Sequence, residues 1–206
     1  MSKGTKVVAC IVSRMESKRL PGKALAEVAG KAMNQWLIER IKTCQFIDDI
    51  VLCTADTSPN DLLCHRANDW GIYHYKGDET DVLGRCIQAG IVFEADHILR
   101  ITGDNIFTDP CYTDQLIEQH LITNAEYSRI NGLPLGVTAE VMSLDMATRL
   151  HRSLGDKNET EYMTLFAFNP DKYKCNVLNA ADSYYRPYYS LTVDTPADLE
   201  MVKKIL

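Results

Sequence analysis

The sequence predicts an α/β protein built on a doubly wound, mainly parallel sheet. The first observation is Lys6–Val12, a nearly continuous apolar run typical of a strand covered on both faces. The second is the connection that follows it, a long segment containing an amphipathic helix and ending at a second apolar strand, Ile50–Thr54. A strand–helix–strand unit of this length indicates parallel pairing.

The first helix is predicted from Met33, Leu37, Ile41 and Cys44, which recur at helical spacing. The same rhythm then repeats through the first two-thirds of the chain. It predicts a helix capped by Ser58 before Pro59 and ended by Gly71, a strand at Ile72–Tyr75, a helix capped by Asp81, a strand at His97–Thr102, and a helix starting at Asp109-Pro110.

After about Asn124 the rhythm changes. Strands are predicted near Ala125–Ile130, Leu135–Ser143 and Ser190–Val193, and helices near Leu144–Ser153 and Thr195–Leu206. No linker or repeat interrupts the chain, so we expect one domain over 1–206. The change of pattern divides it into a first part, about 1–124, and a second part, about 125–206.

Net charge, apolar content and cysteine spacing argue against several classes of function. The chain has 206 residues and a net charge of −6, which argues against nucleic acid or an anionic membrane as a partner. No apolar run approaches the length of a membrane span, and the N-terminus lacks the order of a signal peptide. Seven cysteines without a C-x-x-C pair favour reduced thiols in a cytoplasmic protein over zinc sites or disulfides.

The loop after the first strand, residues 13–23, is the strongest candidate for a binding site. Its basic side chains are Arg14, Lys18, Arg19 and Lys23, accompanied by Ser17 and Gly22. Arginine and lysine bind phosphate oxygens, and a glycine lets backbone N–H groups approach them closely. Neither a Walker loop nor G-x-G-x-x-G is present. The alternative is a solvated basic loop, but its position at the carboxyl end of a strand favours phosphate binding.

Two aspartates are candidate magnesium ligands. Asp104 follows the strand His97–Thr102 and Gly103, and Asp194 precedes the last helix. Magnesium is typically held by one or two carboxylates together with phosphate oxygens and water. Taken alone, Asp104 equally suits a turn and Asp194 a helix cap.

Together these motifs resemble cytidylyltransferases of the spore-coat polysaccharide type. These are similar to the enzymes that activate 3-deoxy-manno-octulosonate and nonulosonic acids. The matching elements are Arg14-x-x-Ser17-x-Arg19-Leu20-Pro21-Gly22-Lys23, Asp81-Val82-Leu83-x-Arg85, Gly103-Asp104, and Val193-Asp194-Thr195-Pro196-x-Asp198-Leu199. They run in order from about Lys6 to Leu206.

The resemblance implies a Rossmann-like, three-layer nucleotidyltransferase fold with a mostly parallel mixed sheet. It also implies a homodimer that binds CTP, Mg²⁺ and a small acidic or phosphorylated sugar. The nucleotide-binding part would be about 1–124 and the acceptor-binding part about 125–206. Arg14, Ser17, Arg19, Gly22 and Lys23 would hold the triphosphate, and Asp104 and Asp194 the metal. Thr54, Asp81, Arg85 and Gly103 would lie near the nucleotide or the acceptor.

The implied reaction transfers CMP to an acidic sugar for a surface polysaccharide and releases pyrophosphate. Lys23, Arg14 and Arg19 would stabilise the charge that develops on the phosphates. The five histidines are scattered and are interpreted as structural.

Three alternatives stay open: a phosphorylated acceptor that gives a CDP-linked product, a glycosyltransferase of related fold, and a silent scaffold. Against the glycosyltransferase, no D-x-D follows the strand His97–Thr102. Against the scaffold, the basic loop and both aspartates are present. The chain differs from the family's usual pattern at Thr160–Thr164 and at Ser190, where Arg186 lies nearby, so these differences bear on the acceptor.

Overall fold

The computed structural model describes residues 4–155, 160 and 164–206. The strands are β1 (Val7–Val12), β2 (Glu27–Val28), β3 (Lys31–Ala32), β4 (Asp49–Ala55), β5 (Tyr73–Gly77), β6 (His97–Thr102), β7 (Tyr127–Asn131), β8 (Glu140–Ser143) and β9 (Cys175–Asn179). The α-helices are α1 (Met33–Ile41), α2 (Asp61–Asp69), α3 (Val82–Val92), α4 (Pro110–Ile122), α5 (Leu144–Ser153), α6 (Thr164–Ala167) and α7 (Pro196–Ile205).

Seven of these strands form one sheet in the order β5-β4-β1-β6-β8-β7-β9. Strands β5, β4, β1 and β6 are parallel, and β7 and β9 are parallel to each other. Strand β8 is antiparallel to both of its neighbours. The predicted mostly parallel mixed sheet is therefore confirmed.

Helices cover both faces of the sheet and make three layers. Side chains that alternate along β1 point to opposite faces. Val7, Ala9 and Ile11 belong to a core shared with α1, α2 and α4, whereas Val8 and Cys10 belong to one shared with α3, α5 and α6. Residues 7–11 are at most 1% exposed, which confirms the prediction of a strand buried on both faces.

Several predicted boundaries hold in detail. Strand β6 begins and ends at the predicted residues, and Asp81 and Asp109 cap α3 and α4 as expected. Ser58 does not cap α2, because Ser58–Asn60 forms a separate 3-10 turn before it. Gly71 follows that helix in the left-handed region, with φ +64°, as expected for a terminating glycine.

The predicted strands Leu135–Ser143 and Ser190–Val193 are wrong over most of their length. Only Glu140–Ser143 becomes β8, and the other stretch makes one isolated bridge, between Ser190 and Leu135. Gly136 explains the interruption: its φ is +92°, and a Cβ there would lie 2.4 Å from the Thr192 backbone nitrogen. The sequence analysis also missed β9, a short edge strand with asparagines at two of its five positions.

A smaller core cluster packs α7 against the β2–β3 hairpin and the start of α1. It contains Val28, Met33, Ile106, Val193 and Val202. Within the described part of the chain, no helix has the length and apolar character needed to cross a membrane.

Candidate active site

The basic loop, residues 13–23, is a compact turn held by its own backbone. The Met15 carbonyl accepts hydrogen bonds from the backbone N–H groups of Ser17, at 3.0 Å, and Gly22, at 2.9 Å. Gly22 has φ +72°, a conformation that side chains with a Cβ rarely adopt. The turn therefore brings Lys23 back beside the start of the loop.

The loop is also fastened from outside by residues that the sequence analysis did not single out. The fully buried Asn60 accepts a hydrogen bond from the Met15 N–H at 2.8 Å and donates to Glu16 at 3.0 Å. Thr57 donates to the other Glu16 oxygen at 2.6 Å. That hydrogen bond is the largest of the effects that lower the pKa of Glu16, so this carboxyl stays ionised.

Lys23 joins the two predicted metal ligands. Its Nζ lies 2.7 Å from Asp104 Oδ2 and 2.9 Å from Asp194 Oδ1, and it also donates to the Val193 carbonyl at 3.0 Å. Arg19 adds a second ion pair to Asp194 Oδ1, at 2.8 Å. Two acids that are far apart in sequence thus meet the basic loop in one ionic cluster. The Lys23 side chain is 16% exposed, which differs from the solvated loop that was the alternative from sequence.

Close backbone packing places Asp104. The preceding Gly103 donates to the Val12 carbonyl at 2.8 Å, and a Cβ on this glycine would lie 2.7 Å from Ser13 Oγ. The buried Asn34 donates to the Gly103 carbonyl at 2.7 Å. A side chain at residue 103 would therefore clash with Ser13, just beyond the paired ends of β1 and β6.

Asp194 is placed by the start of α7. A capping box joins Thr195 and Asp198, and the Asp194 N–H donates to Asp198 Oδ2 at 3.0 Å. Val193 donates its N–H to the Asp104 carbonyl at 3.1 Å, which ties the two acidic segments together. Asp194 itself does not cap the helix; Thr195 does.

The donor set of this cluster fits a hard divalent cation. Asp104 Oδ2, Asp194 Oδ1 and the Val193 carbonyl all lie within 3.0 Å of one ammonium nitrogen, so three oxygens already surround a positive charge. Carboxylate and carbonyl oxygens are the ligands that magnesium takes in proteins. The residues present therefore fit the metal that the sequence analysis expected.

A cleft of about 1000 Å³ opens over the ionic cluster. Eight of the predicted site residues line it: Arg14, Ser17, Arg19, Lys23, Arg85, Gly103, Asp104 and Asp194. The cleft lies at the carboxyl ends of β1 and β6, where ligands bind in open α/β sheets.

Three predicted residues do not line the cleft. Gly22 shapes the turn, as described above. The Thr54 side chain is fully buried within β4. Asp81 caps α3 through the Gly84 N–H, at 2.9 Å, and lies 2.6 Å from His151 Nε2, so its carboxylate is engaged in fixing the helix.

Two further arginines, Arg100 and Arg129, line the cleft opposite the loop, and the sequence analysis did not single them out. Arg100 on β6 pairs with Glu140 on β8 at 3.0 Å, and both side chains are 12% exposed. Arg129 on β7 lies over the ring of Phe168, with its guanidinium carbon 3.5 Å from the ring centroid. The available signal was one arginine in each of β6 and β7, but their convergence depends on β8, which lies between these two strands and pairs with both.

Tyr127 belongs to the same wall through Glu140. Its hydroxyl donates to Glu140 Oε1 at 2.5 Å, so both oxygens of this carboxylate have partners. Burial, followed by the charge of Glu140, raises the pKa of Tyr127, which therefore stays protonated and keeps donating. The pair fixes Arg100 beside the cleft.

The positions where the chain differs from the family pattern are either outside the described residues or away from the cleft lining. Residues 161–163 lie outside those that the structure describes. Ser190 and Arg186 are exposed, and Arg186 donates to the neighbouring Tyr185 carbonyl at 2.7 Å. Neither residue lines the cleft.

Comparison with known proteins identifies the family of the chain. The family model described as "Cytidylyltransferase" matches residues 8–205. The spore coat polysaccharide biosynthesis protein SpsF of Bacillus subtilis (strain 168) is 32% identical over 202 residues, which cover 95% of this chain and 84% of that protein.

Two solved structures share the fold. A cytidylyltransferase from Leptospira borgpetersenii superposes with a TM-score of 0.89 at 25% identity, covering 97% of this chain and 85% of that one. A CMP-2-keto-3-deoxy-manno-octonic acid synthetase in complex with CTP superposes with a TM-score of 0.75 at 17% identity, covering 98% of each chain. These superpositions confirm the predicted nucleotidyltransferase fold. The extent of the family match and the identity to SpsF show that the chain belongs to the cytidylyltransferase family and is a nucleotidyltransferase enzyme.

Proposed function

We propose that this enzyme transfers CMP from CTP to an acidic sugar, with magnesium and with release of pyrophosphate, to supply a surface polysaccharide. The observation that carries the proposal is the ionic cluster, in which one lysine of the basic loop holds both Asp104 and Asp194. The family supports the cytidylyl transfer. The name of the Bacillus subtilis relative supports the polysaccharide, and the CTP complex of the structural neighbour supports the nucleotide.

The basic loop is the proposed triphosphate site. Arg14, Ser17 and Arg19 line the cleft beside Lys23, and Arg19 is 66% exposed at its side chain, so its fork has room for phosphate oxygens. Asp104 and Asp194 would hold Mg²⁺, which supplies charge neutralisation at the phosphates and at the leaving pyrophosphate. Lys23 keeps the two carboxylates together and adds its positive charge beside the phosphates.

The opposite wall is the proposed acceptor site. Arg129 lines the cleft on that side, and its stacking on Phe168 fixes the plane of the guanidinium. A fixed guanidinium favours bidentate binding of a carboxylate. Asn131 and Thr138 line the same part of the cleft and offer neutral partners for sugar hydroxyls.

The proposed transfer needs no protein nucleophile. The acceptor hydroxyl gives its proton to water and its oxygen attacks the α-phosphorus of CTP; the bond from that phosphorus to the bridging oxygen breaks, and pyrophosphate leaves with that oxygen. The protein would position the two substrates and stabilise the charge that builds on the phosphate oxygens. This accords with a cleft whose polar lining is mainly arginine, lysine, carboxylate and amide groups.

Pyrophosphate release tests the proposal. The enzyme is incubated with each of four nucleoside triphosphates, with and without Mg²⁺, against a panel of sugar acids and sugar phosphates. We expect release with CTP and a sugar acid, and a product with one phosphate between cytidine and the sugar. A product with two phosphates would assign a phosphorylated acceptor instead, and no release with CTP would contradict the proposal.

Asp104→Asn is the matched site variant for that assay. It keeps the size of the side chain but removes the charge that would hold the metal, so Mg²⁺-dependent release should fall by at least about 100-fold. Asp182→Asn is the control, because this exposed aspartate lies outside the cleft. Full activity of Asp104→Asn would place the metal elsewhere.

We also propose that the whole of 1–206 acts as one cytoplasmic domain and that two copies form a homodimer. The cytoplasm supplies CTP, the proposed substrate. Exposed aromatic side chains, among them Tyr188 and Tyr189, offer apolar surface for the second copy. Light scattering on the purified protein tests the dimer, and a monomer's mass at micromolar concentration would contradict it.

A further inference from the structure

Three cysteine side chains meet inside the core that α3 and α5 share with the sheet. They are Cys10 on β1, Cys53 on β4 and Cys86 on α3, and each is at most 1% exposed. Their three Sγ atoms all lie within 4.8 Å of one another. Among the described residues, no histidine or carboxylate joins this thiol group.

The spacing of the sulfurs suits one shared metal ion. A metal–thiolate bond is about 2.3 Å long, so three sulfurs in a plane around one ion lie about 4 Å apart. The observed upper limit of 4.8 Å therefore requires only a small inward movement of the side chains. Thiolates are the ligands that select Cu⁺ and Zn²⁺, whereas magnesium prefers oxygen.

A buried positive charge stands next to the thiol group, because Arg85 directly precedes Cys86 in α3 and both residues are buried. Arg85 is 3% exposed, and its buried Nε and Nη1 atoms have no hydrogen-bond partner. A buried guanidinium with unsatisfied N–H groups is costly unless an anion lies close by.

The thiol group lies directly behind the wall of the cleft. Cys53 is the register partner of Val12, and Cys86 follows Arg85 in the chain. Val12 and Arg85 both line the cleft. The thiol group and the cleft therefore lie on opposite sides of the same wall.

We propose that Cys10, Cys53 and Cys86 form a three-thiolate binding site for one thiophilic cation, Cu⁺ or Zn²⁺, separate from the proposed magnesium site. On binding, the thiols give up their protons to the solvent and the ion takes their place among the sulfurs. Arg85 then gains a buried negative charge beside it. The site does not depend on which acceptor the enzyme uses.

Metal binding is tested on a chain in which the thiol group holds the only cysteines. This background variant carries Cys44→Ser, Cys64→Ala, Cys111→Ser and Cys175→Ser. The reduced, metal-free protein is titrated anaerobically with Cu⁺ and separately with Zn²⁺, against a chromogenic chelator, with Mg²⁺ in excess. We expect one ion per chain by native mass spectrometry and release of protons into a weakly buffered solution.

Cys86→Ala on the same background should weaken binding at least 100-fold, since it leaves two ligands. If that variant does not fold, X-ray absorption at the metal edge of the loaded background variant decides the question. Three sulfur neighbours at about 2.3 Å support the site. No bound ion in the background variant, or a ligand shell of nitrogen and oxygen only, overturns the proposal and leaves the thiols as packing.

Discussion

At the scale of single residues, Lys23 holds the carboxylates of Asp104 and Asp194 close together through two ion pairs. Without it, the carboxylates of Asp104 and Asp194 would face each other, and Arg19 would pair with Asp194 alone. Like charges at such short range repel, and the surrounding protein screens them less than water does. The same lysine therefore serves stability in the free enzyme and charge stabilisation in the proposed reaction.

Lys23→Ala should lower turnover about 10²–10³-fold, because a positive charge beside the phosphates is lost. It should also lower the free energy of unfolding by about 1–3 kcal/mol in the absence of Mg²⁺. Added Mg²⁺ should recover part of that loss, since a divalent cation can separate the two acids. Steady-state kinetics and urea unfolding measure both effects.

Lys203→Ala is the control for that variant, because Lys203 makes an ion pair of equal length, 2.7 Å, on the exposed face of α7. Its turnover and stability should both stay near those of the wild type. A Lys23→Ala enzyme within threefold of wild-type turnover would contradict the role given to this lysine.

Arg129→Ala should raise the KM for the acceptor about 10- to 100-fold, because it removes a charge-assisted hydrogen bond to an acidic group. The KM for CTP should change little. Arg149→Ala is a matched control: Arg149 also lies over an aromatic ring, that of Tyr173, but outside the cleft. An equal rise in both KM values would show that Arg129 is not specific to the acceptor side.

The cleft-lining residues that the sequence predicted were those in short motifs. Arg14, Ser17, Arg19 and Lys23 stand within ten residues of one another, and Asp104 stands two residues after β6, so local pattern was enough. The sequence analysis did not predict Arg100 and Arg129 as site residues, because each is a single basic residue in a strand. Their meeting in the cleft follows from the antiparallel insertion of β8, which no local pattern indicates.

At the scale of elements, the start of α7 positions Asp194. Asp198 accepts hydrogen bonds from the backbone of both Asp194 and Thr195, at 3.0 and 2.8 Å. The hydrogen bond with Thr195 is the main cause that lowers the pKa of Asp198. The ionised carboxylate is therefore the form that holds the turn.

Asp198→Asn should cost about 1 kcal/mol of stability at neutral pH, because the amide accepts more weakly and disturbs the capping box. Since folding lowers the pKa of Asp198, the advantage of the wild type is complete above about pH 5 and declines as the pH falls below about 4. Urea unfolding of both proteins from pH 7 to pH 3 measures this. A stability difference between the two proteins that does not change with pH would show that the ionised form of Asp198 does not hold the turn.

Elements with strong local sequence signals were predicted well. Elements whose conformation depends on tertiary contacts were not. Strands β1, β4 and β6 are continuous apolar runs, and the caps of α3 and α4 use Asp side chains. The segment before β8 has strand-like residues, but Gly136 turns the backbone close to residues 191 and 192. Tertiary contact overrode local preference there.

At the scale of the whole molecule, a histidine pair links three elements away from the cleft. His120 on α4 lies 2.7 Å from Ser128 Oγ on β7 and 2.9 Å from His97 Nδ1 on β6. Burial, followed by the charge of His97, lowers the pKa of His120 to about 3. Both histidines are structural in this arrangement, in line with the interpretation from sequence.

The histidine pair makes global stability depend on pH. Because folding lowers the pKa of His120, its contribution is complete above about pH 6.5 and is lost as the pH falls toward the folded value. Between pH 7 and pH 5 the wild type should lose about 1–2 kcal/mol more than His120→Gln. Urea unfolding at the two pH values measures the difference, and equal losses would show that His120 is not held neutral.

The layered architecture followed from sequence because it depends on repeated, local signals of burial. The strand order beyond β6 did not, since β7, β8 and β9 are joined by long connections and pair out of chain order. Phosphate binding was expected at the carboxyl end of β1, but the far wall of the cleft comes from the part of the sheet that was least predictable.

The central claim is that Asp104 and Asp194 hold one divalent cation against the phosphates bound by the basic loop. A crystal structure with CTP and Mn²⁺, located by its anomalous scattering, tests this most directly. The account predicts a manganese peak within about 2.3 Å of one oxygen from each aspartate, with phosphate oxygens on Arg14, Ser17 and Arg19. A peak that contacts neither aspartate, or a triphosphate bound away from residues 13–23, would contradict it.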